Sequence, residues 1–102
     1  MAKAKSRQKS KTMSKQVTKR RRVSFSFEAA DAREVILVGD FNNWDPQKHA
    51  MKHNGHGTWH KTVVLAPGRY EYKFFVNRDW KIDPNNSQTC ANSFGTQNSV
   101  LN

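Results

Sequence analysis

From Val23 onward, apolar and polar residues alternate in short stretches broken by turn chemistry. Val23, Phe25 and Phe27 alternate with Ser24, Ser26 and Glu28, the period of a half-buried strand. Val35-Ile36-Leu37-Val38 predicts a second, more continuous apolar strand, and Gly39 to Pro46 a turn. Asn54-Gly55-His56-Gly57 is a hairpin signal. After it, Trp59, Val63 and Leu65 share one face, interrupted by Lys61, and Ala66-Pro67-Gly68 closes the strand. Tyr70, Tyr72, Phe74 and Val76 alternate with Glu71, Lys73 and Phe75, the clearest strand in the chain. Asn77-Arg78-Asp79 turns it, Trp80-Lys81-Ile82 predicts a short return strand, Asp83 to Asn86 starts a polar loop, and Asn98 to Leu101 predicts a last strand. No longer segment carries helical periodicity. Short strands separated by turns predict an all-β sandwich or barrel.

Charge divides the chain in two. Residues 1–22 hold ten Lys/Arg and no Asp or Glu, whereas residues 23–102 hold eight of each class. The net charge of +10 therefore belongs to an N-terminal tail, and the body is formally neutral. With almost no apolar residues to offset the entropy of ordering, residues 1–22 are expected to be a disordered basic tail, and residues 23–102 one folded domain. The tail lacks the apolar region of a secretory signal, and no run reaches the length of a membrane span. Cys90 is the single cysteine, so no internal disulfide is possible, and a cytoplasmic location is the expectation.

Catalytic chemistry is thin. Nucleophile-elbow, Walker and dinucleotide motifs are absent, and the chain is not expected to be an enzyme or to carry a cofactor. Asp40 and Asp45 flank a turn and read as caps of their own backbone. Cys90 has no basic neighbour in sequence and reads as an ordinary thiol. His49, His53, His56 and His60 have a spacing that would line one side of a helix. Gly55 and Gly57 break such a helix, so the four scatter on a hairpin and no metal site is expected.

Tryptophan placement is the informative feature. Trp59 begins a strand with inward alternation and reads as core, but Trp44 and Trp80 lie in or beside polar turns. Such residues either staple a loop from beneath or form a flat platform for a ligand. A pyranose ring, with one largely C–H face and hydroxyls at its edge, suits an indole face flanked by Lys, Asn and Thr.

Four stretches, "VILVGDFNNWDP", "LAPGRYEYKFFVNRDW", "KIDP" and "FGTQNSVL", in this order, resemble carbohydrate-binding module family 48. The resemblance is greatest to the glycogen-binding domain of the AMP-activated protein kinase β subunit, with the N-terminal domains of isoamylases and branching enzymes somewhat further away. It covers nearly all of residues 23–101 and none of the tail. It implies an immunoglobulin-like β-sandwich of the early-set type that binds α-1,4-linked glucan. It also implies that Trp44 and Trp80 stack on sugar, that Lys73 contacts it, that the sugar chain wraps around Phe94, and that Thr96 and Asn98 make polar contacts on the last loop. Lys73 lies on the opposite strand face from Tyr72 and Phe74, which agrees with an outward role. Two departures stand out: Asn77-Arg78-Asp79 replaces the family's usual Asp-Gly turn, leaving Asn77 best suited to a left-handed backbone, and Phe94 replaces a leucine.

The leading expectation is a non-catalytic glucan-binding module. The alternatives are nucleic-acid or polyanion contact through the tail, with Trp44 and Trp80 stacking bases, and a regulatory or scaffolding subunit for an enzyme of glycogen metabolism.

Overall fold

The computed structural model describes residues 20–102. The strands are β1 (Arg21–Glu28), β2 (Val35–Gly39), β3 (Lys52–His53), β4 (Thr58–Leu65), β5 (Tyr70–Val76), β6 (Asp79–Lys81), β7 (Thr89–Ala91) and β8 (Gln97–Leu101). One turn of 3₁₀ helix, Asp40–Asn42, follows β2. The strands form two antiparallel sheets. One has the order β1-β4-β3; the other has β2-β5-β8-β7, with β6 also paired to β5. This is the expected β-sandwich.

The core is the space between the sheets. Phe25 and Phe27 of β1 and Val63 and Leu65 of β4 point into it from one side, and Tyr72, Phe74, Val35 and Leu37 from the other. Aromatic edges lock the two layers: Phe25 lies 5.0 Å from Tyr72, and Phe27 lies 5.0 Å from Phe74, between ring centroids. Burial runs through both faces of β2. Val35 and Leu37 join the core, while Ile36 and Val38 are buried on the other face, opposite Phe75 and Lys73 of β5.

Several details differ from the sequence reading. β1 begins at Arg21, two residues before the expected boundary, because Arg21 and Arg22 continue the ladder opposite Leu65 and Val64. The remainder of the expected disordered tail, residues 1–19, lies outside the described residues. β3 and β7 have no apolar alternation and exist through their ladder partners β4 and β8. Trp59 packs at the margin of the core and donates its indole N–H to Ala29 O at 3.0 Å.

The histidines do separate. His49 packs edge-on to Phe41, His53 stacks on Trp59, and His60 is exposed in β4. Among the described residues no group of three or more His, Cys, Asp or Glu could share a metal ion. No helix among them is long and apolar enough to cross a membrane.

Candidate functional site

The outer face of the second sheet carries an open groove of about 680 Å³. Trp44, Lys73, Trp80, Phe94, Thr96 and Asn98 all line it. Residues 54 positions apart in sequence thus meet on one surface, and the fold explains how each arrives.

Trp44 is delivered by the turn after β2. Gly39 is required at its start, because a Cβ there would lie 2.6 Å from Glu71 O and 2.8 Å from Tyr72 Cβ. Asn42 is buried and braces the turn from within: its Oδ1 accepts from Gly39 N at 3.1 Å, and its Nδ2 donates to Leu37 O at 3.0 Å and to His49 Nδ1 at 2.8 Å. His49, as acceptor in that bond, is held neutral; burial and then Lys61 and Lys48 lower its pKa. Asn43 and Trp44 both take left-handed backbone, with φ of 58° and 57°. Asparagine tolerates this region, but a tryptophan there costs about 1–2 kcal/mol. The turn alone would be served better by glycine, so the indole itself is what the strain preserves.

Asp40 fixes the indole. Its Oδ1 accepts from Trp44 Nε1 at 2.9 Å, and its Oδ2 accepts from Glu71 N at 2.8 Å. By sequence alone Asp40 reads as a cap of its own turn. One carboxylate instead ties the platform residue to the strand that carries Lys73.

Trp80 arrives by another route. It stands opposite Phe75 in the β5–β6 pair and packs on it, with ring centroids 4.5 Å apart. The connecting turn puts both Asn77 and Arg78 at positive φ, 47° and 72°, the two-residue hairpin geometry that usually selects Asn-Gly. Arg78 is held there by an ion pair with Glu34 at 3.2 Å. Asn77 Oδ1 accepts from Arg33 N at 2.8 Å and Glu34 N at 3.1 Å. The missing glycine is thus compensated by contacts to the 33–34 loop. The Trp44 and Trp80 rings end 6.3 Å apart, inclined at 58°.

Lys73 is the one residue of β5 between the stretch paired with β8 and the stretch paired with β6. It is only 8% exposed. Among the described residues its ammonium makes a single hydrogen bond, to Thr96 Oγ1 at 3.2 Å, and no ion pair. An ammonium has three donors, so two remain for whatever enters the groove.

A polar chain runs beside it. Asn92 Nδ2 donates to Thr96 Oγ1 at 2.7 Å and to Asn98 Oδ1 at 3.0 Å, and Asn98 Nδ2 donates to Glu71 Oε1 at 2.9 Å. Arg69 closes the chain on Glu71 Oε2 at 2.8 Å. The bonds from Asn98 and Arg69 hold the Glu71 carboxyl down to about 2. Both carboxylates that line the groove, Asp40 and Glu71, are therefore occupied by the protein's own donors. Asn92 also accepts from Phe94 N and Thr96 N, shaping the loop whose tip is Phe94, 88% exposed.

The sequence reading missed Asp40, Glu71 and Asn92 as groove residues. Only Asn92 had a local signal, an Asx turn two residues before an aromatic tip and three before Gly95.

Residues 21–102 match the family described as the glycogen recognition site of AMP-activated protein kinase. Among similar proteins, "Protein PTST homolog 2, chloroplastic" of Arabidopsis thaliana is 39% identical over 70 residues, 69% of this chain and 13% of that protein. "Protein FLOURY ENDOSPERM 6, chloroplastic" of Oryza sativa subsp. japonica is 37% identical over 70 residues, again 69% of this chain and 13% of the relative. The 1,4-alpha-glucan branching enzyme GlgB of Rhodopseudomonas palustris (strain BisB5) is 44% identical over 54 residues, 53% of this chain and 8% of the enzyme. The chain thus spans a small fraction of these relatives' length. With four-fifths of its length matched, the chain belongs to the family of the AMP-activated protein kinase glycogen recognition site, a carbohydrate-binding domain of the family 48 type.

Proposed function

We propose that this domain binds α-1,4-linked glucan without catalysing its breakdown. Glucose rings stack on Trp44 and Trp80, and Lys73 donates to hydroxyls at the ring edge. Thr96, just before β8, and Asn98 within it add polar contacts, and Phe94 supports the sugar chain from the loop tip. The observation that carries this reading is the meeting of two indoles, one from a turn and one from β6, over a buried lysine that has no anionic partner among the described residues. Such a groove suits a neutral ligand with apolar faces and acceptor oxygens at its edge. The name of the branching enzyme, whose matched segment is 8% of its length, supports α-1,4-glucan as the ligand class. It also supports a role beside a catalytic unit, so an enzyme partner in glucan metabolism is part of the proposal.

Native gels cast with and without glycogen test it. The parent chain is expected to be retarded by glycogen. Trp44→Ala and Trp80→Ala are each expected to weaken retardation about tenfold or more, since each removes a stacking surface together with its apolar burial. Unaltered retardation in both variants, or none in the parent, overturns the reading.

A further inference from the structure

A second groove, of about 400 Å³, shares no lining residue with the first. Arg21, Arg22, Val23 and Ser24 of β1 line it, together with the β4–β5 turn and the end of β8. Alternate side chains of a strand point to opposite faces. A groove that touches four residues in a row therefore meets β1 along its edge.

Among the described residues that edge is open: β1 pairs only with β4, and no backbone bond outside this ladder involves Arg21–Glu28. An eight-residue strand with one unpaired edge is a template for an added strand. Val23, Leu65 and Leu101 give the groove apolar lining. Arg21 and Arg22 are exposed and form no ion pair among the described residues. The ten Lys/Arg of residues 1–22, without a single Asp or Glu, lead into this end of the strand.

We propose that the β1 edge docks an extended, acidic segment of a partner protein. The segment adds as a strand alongside β1, seats an apolar side chain over Val23 and Leu101, and places carboxylates on Arg21 and Arg22. Charge selects this occupant over a second copy of the chain, because two copies at +10 each repel. Lining chemistry selects it over nucleic acid. The one aromatic residue of the groove, Tyr70, has its hydroxyl tied to Ala66 O at 2.7 Å, and no tryptophan is present for base stacking. Because the two grooves share no residue, glucan and the acidic segment bind together. The domain then acts as an adaptor that brings an acidic protein to a glucan surface. The docking site itself does not depend on the glucan reading.

Fluorescence anisotropy on the full chain tests the proposal. The probe is a labelled nine-residue peptide alternating glutamate with valine. Comparison probes are the same peptide N-methylated at alternate amides, polyglutamate, and a single-stranded oligonucleotide. The alternating peptide is expected to bind, and N-methylation is expected to weaken it at least tenfold. The double substitution Arg21→Ser with Arg22→Ser is expected to do the same, while saturating maltoheptaose leaves the affinity unchanged. Both arginines are exposed, so this variant is expected to keep its circular dichroism spectrum and its retardation by glycogen. Failure to bind the alternating peptide overturns the proposal. So does an N-methylated peptide, polyglutamate or an oligonucleotide that binds as tightly, since charge alone would then explain the contact. Glycogen retardation, scored separately, shows whether the first groove fails or stands independently.

Discussion

Replacing Lys73 by methionine separates a binding role from a structural one. Methionine keeps the length and flexibility of the side chain and removes only the charge and its donors. In the folded protein Lys73 as a whole residue is 8% exposed, and among the described residues its ammonium has one hydrogen bond, to Thr96 Oγ1. Thr96 keeps its bond from Asn92 Nδ2 at 2.7 Å, so no protein acceptor is orphaned by the change. A buried charge without an ionic partner costs stability, and an apolar residue of similar volume in its place is neutral or stabilising. The melting temperature of Lys73→Met is therefore expected to hold or to rise by a few degrees, about 4–8 °C for each kcal/mol gained in a domain of this size.

Binding is expected to move the other way. A hydrogen bond from a charged donor contributes about 1.5–3 kcal/mol when its partner has no substitute. Loss of one such bond to a glucose hydroxyl weakens affinity roughly 10- to 150-fold, at about 1.4 kcal/mol per factor of ten. Calorimetric titration with maltoheptaose measures the affinity, and thermal melting by circular dichroism measures the stability. Two results refute the reasoning. Parent-like affinity would mean that the open donors face no ligand. A drop in melting temperature comparable to the affinity loss would mean that Lys73 holds the sheet together and affects the groove only indirectly.

Other substitutions probe the scaffold beneath the groove. Gly39→Ala drives a methyl group into Glu71 O and Tyr72 Cβ and is expected to cost about 1–3 kcal/mol, read as a lower urea midpoint. Asp40→Ala frees the Trp44 indole N–H and the Glu71 amide; loss of about 1 kcal/mol of positioning is expected to weaken maltoheptaose binding roughly fivefold and to shift tryptophan emission. The Glu71 carboxyl sits at about 2 against an ordinary 4.5, so its stabilisation is complete above pH 4.5 and is lost as pH falls toward 2; Glu71→Gln should flatten acid denaturation across that window. His49 has a lowered pKa, so the unfolded chain takes up its proton first and stability falls as pH drops below 6.5. The proton on Nδ1 also displaces Asn42 Nδ2, so the Trp44 emission of the parent is expected to change below pH 6.5 while that of His49→Phe stays flat.

The six residues that converge on the groove were legible in the sequence by different routes. Alternation along β5 puts Lys73 outward when Tyr72 and Phe74 face in, and Trp44 and Trp80 stand out as aromatic residues in or beside polar turns, whereas Phe94, Thr96 and Asn98 are marked only by the family resemblance. What holds them in position was not legible, because it is written across the chain rather than along it. The Asp40–Glu71 bond spans 31 positions, and nothing near Asp40 marks it as more than a turn residue. Arg78 at positive φ violates the local preference for glycine, and its tolerance is explained only by contacts of this turn to residues 33–34 in the loop before β2. β3 and β7 were unreadable for the same reason, since neither Lys52-His53 nor Thr89-Cys90-Ala91 has a pattern of its own. The strained backbone of Trp44 joins the two levels. Local preference argues against tryptophan at a φ of 57°, yet Asp40 from its own turn and Asn42 behind it hold the indole over the groove. A residue kept where propensity opposes it, by contacts that brace its turn against the sheet, is what a binding surface built on a rigid sheet requires. If Trp44→Gly raises the melting temperature while abolishing retardation by glycogen, the strain will have been measured as the cost of the site.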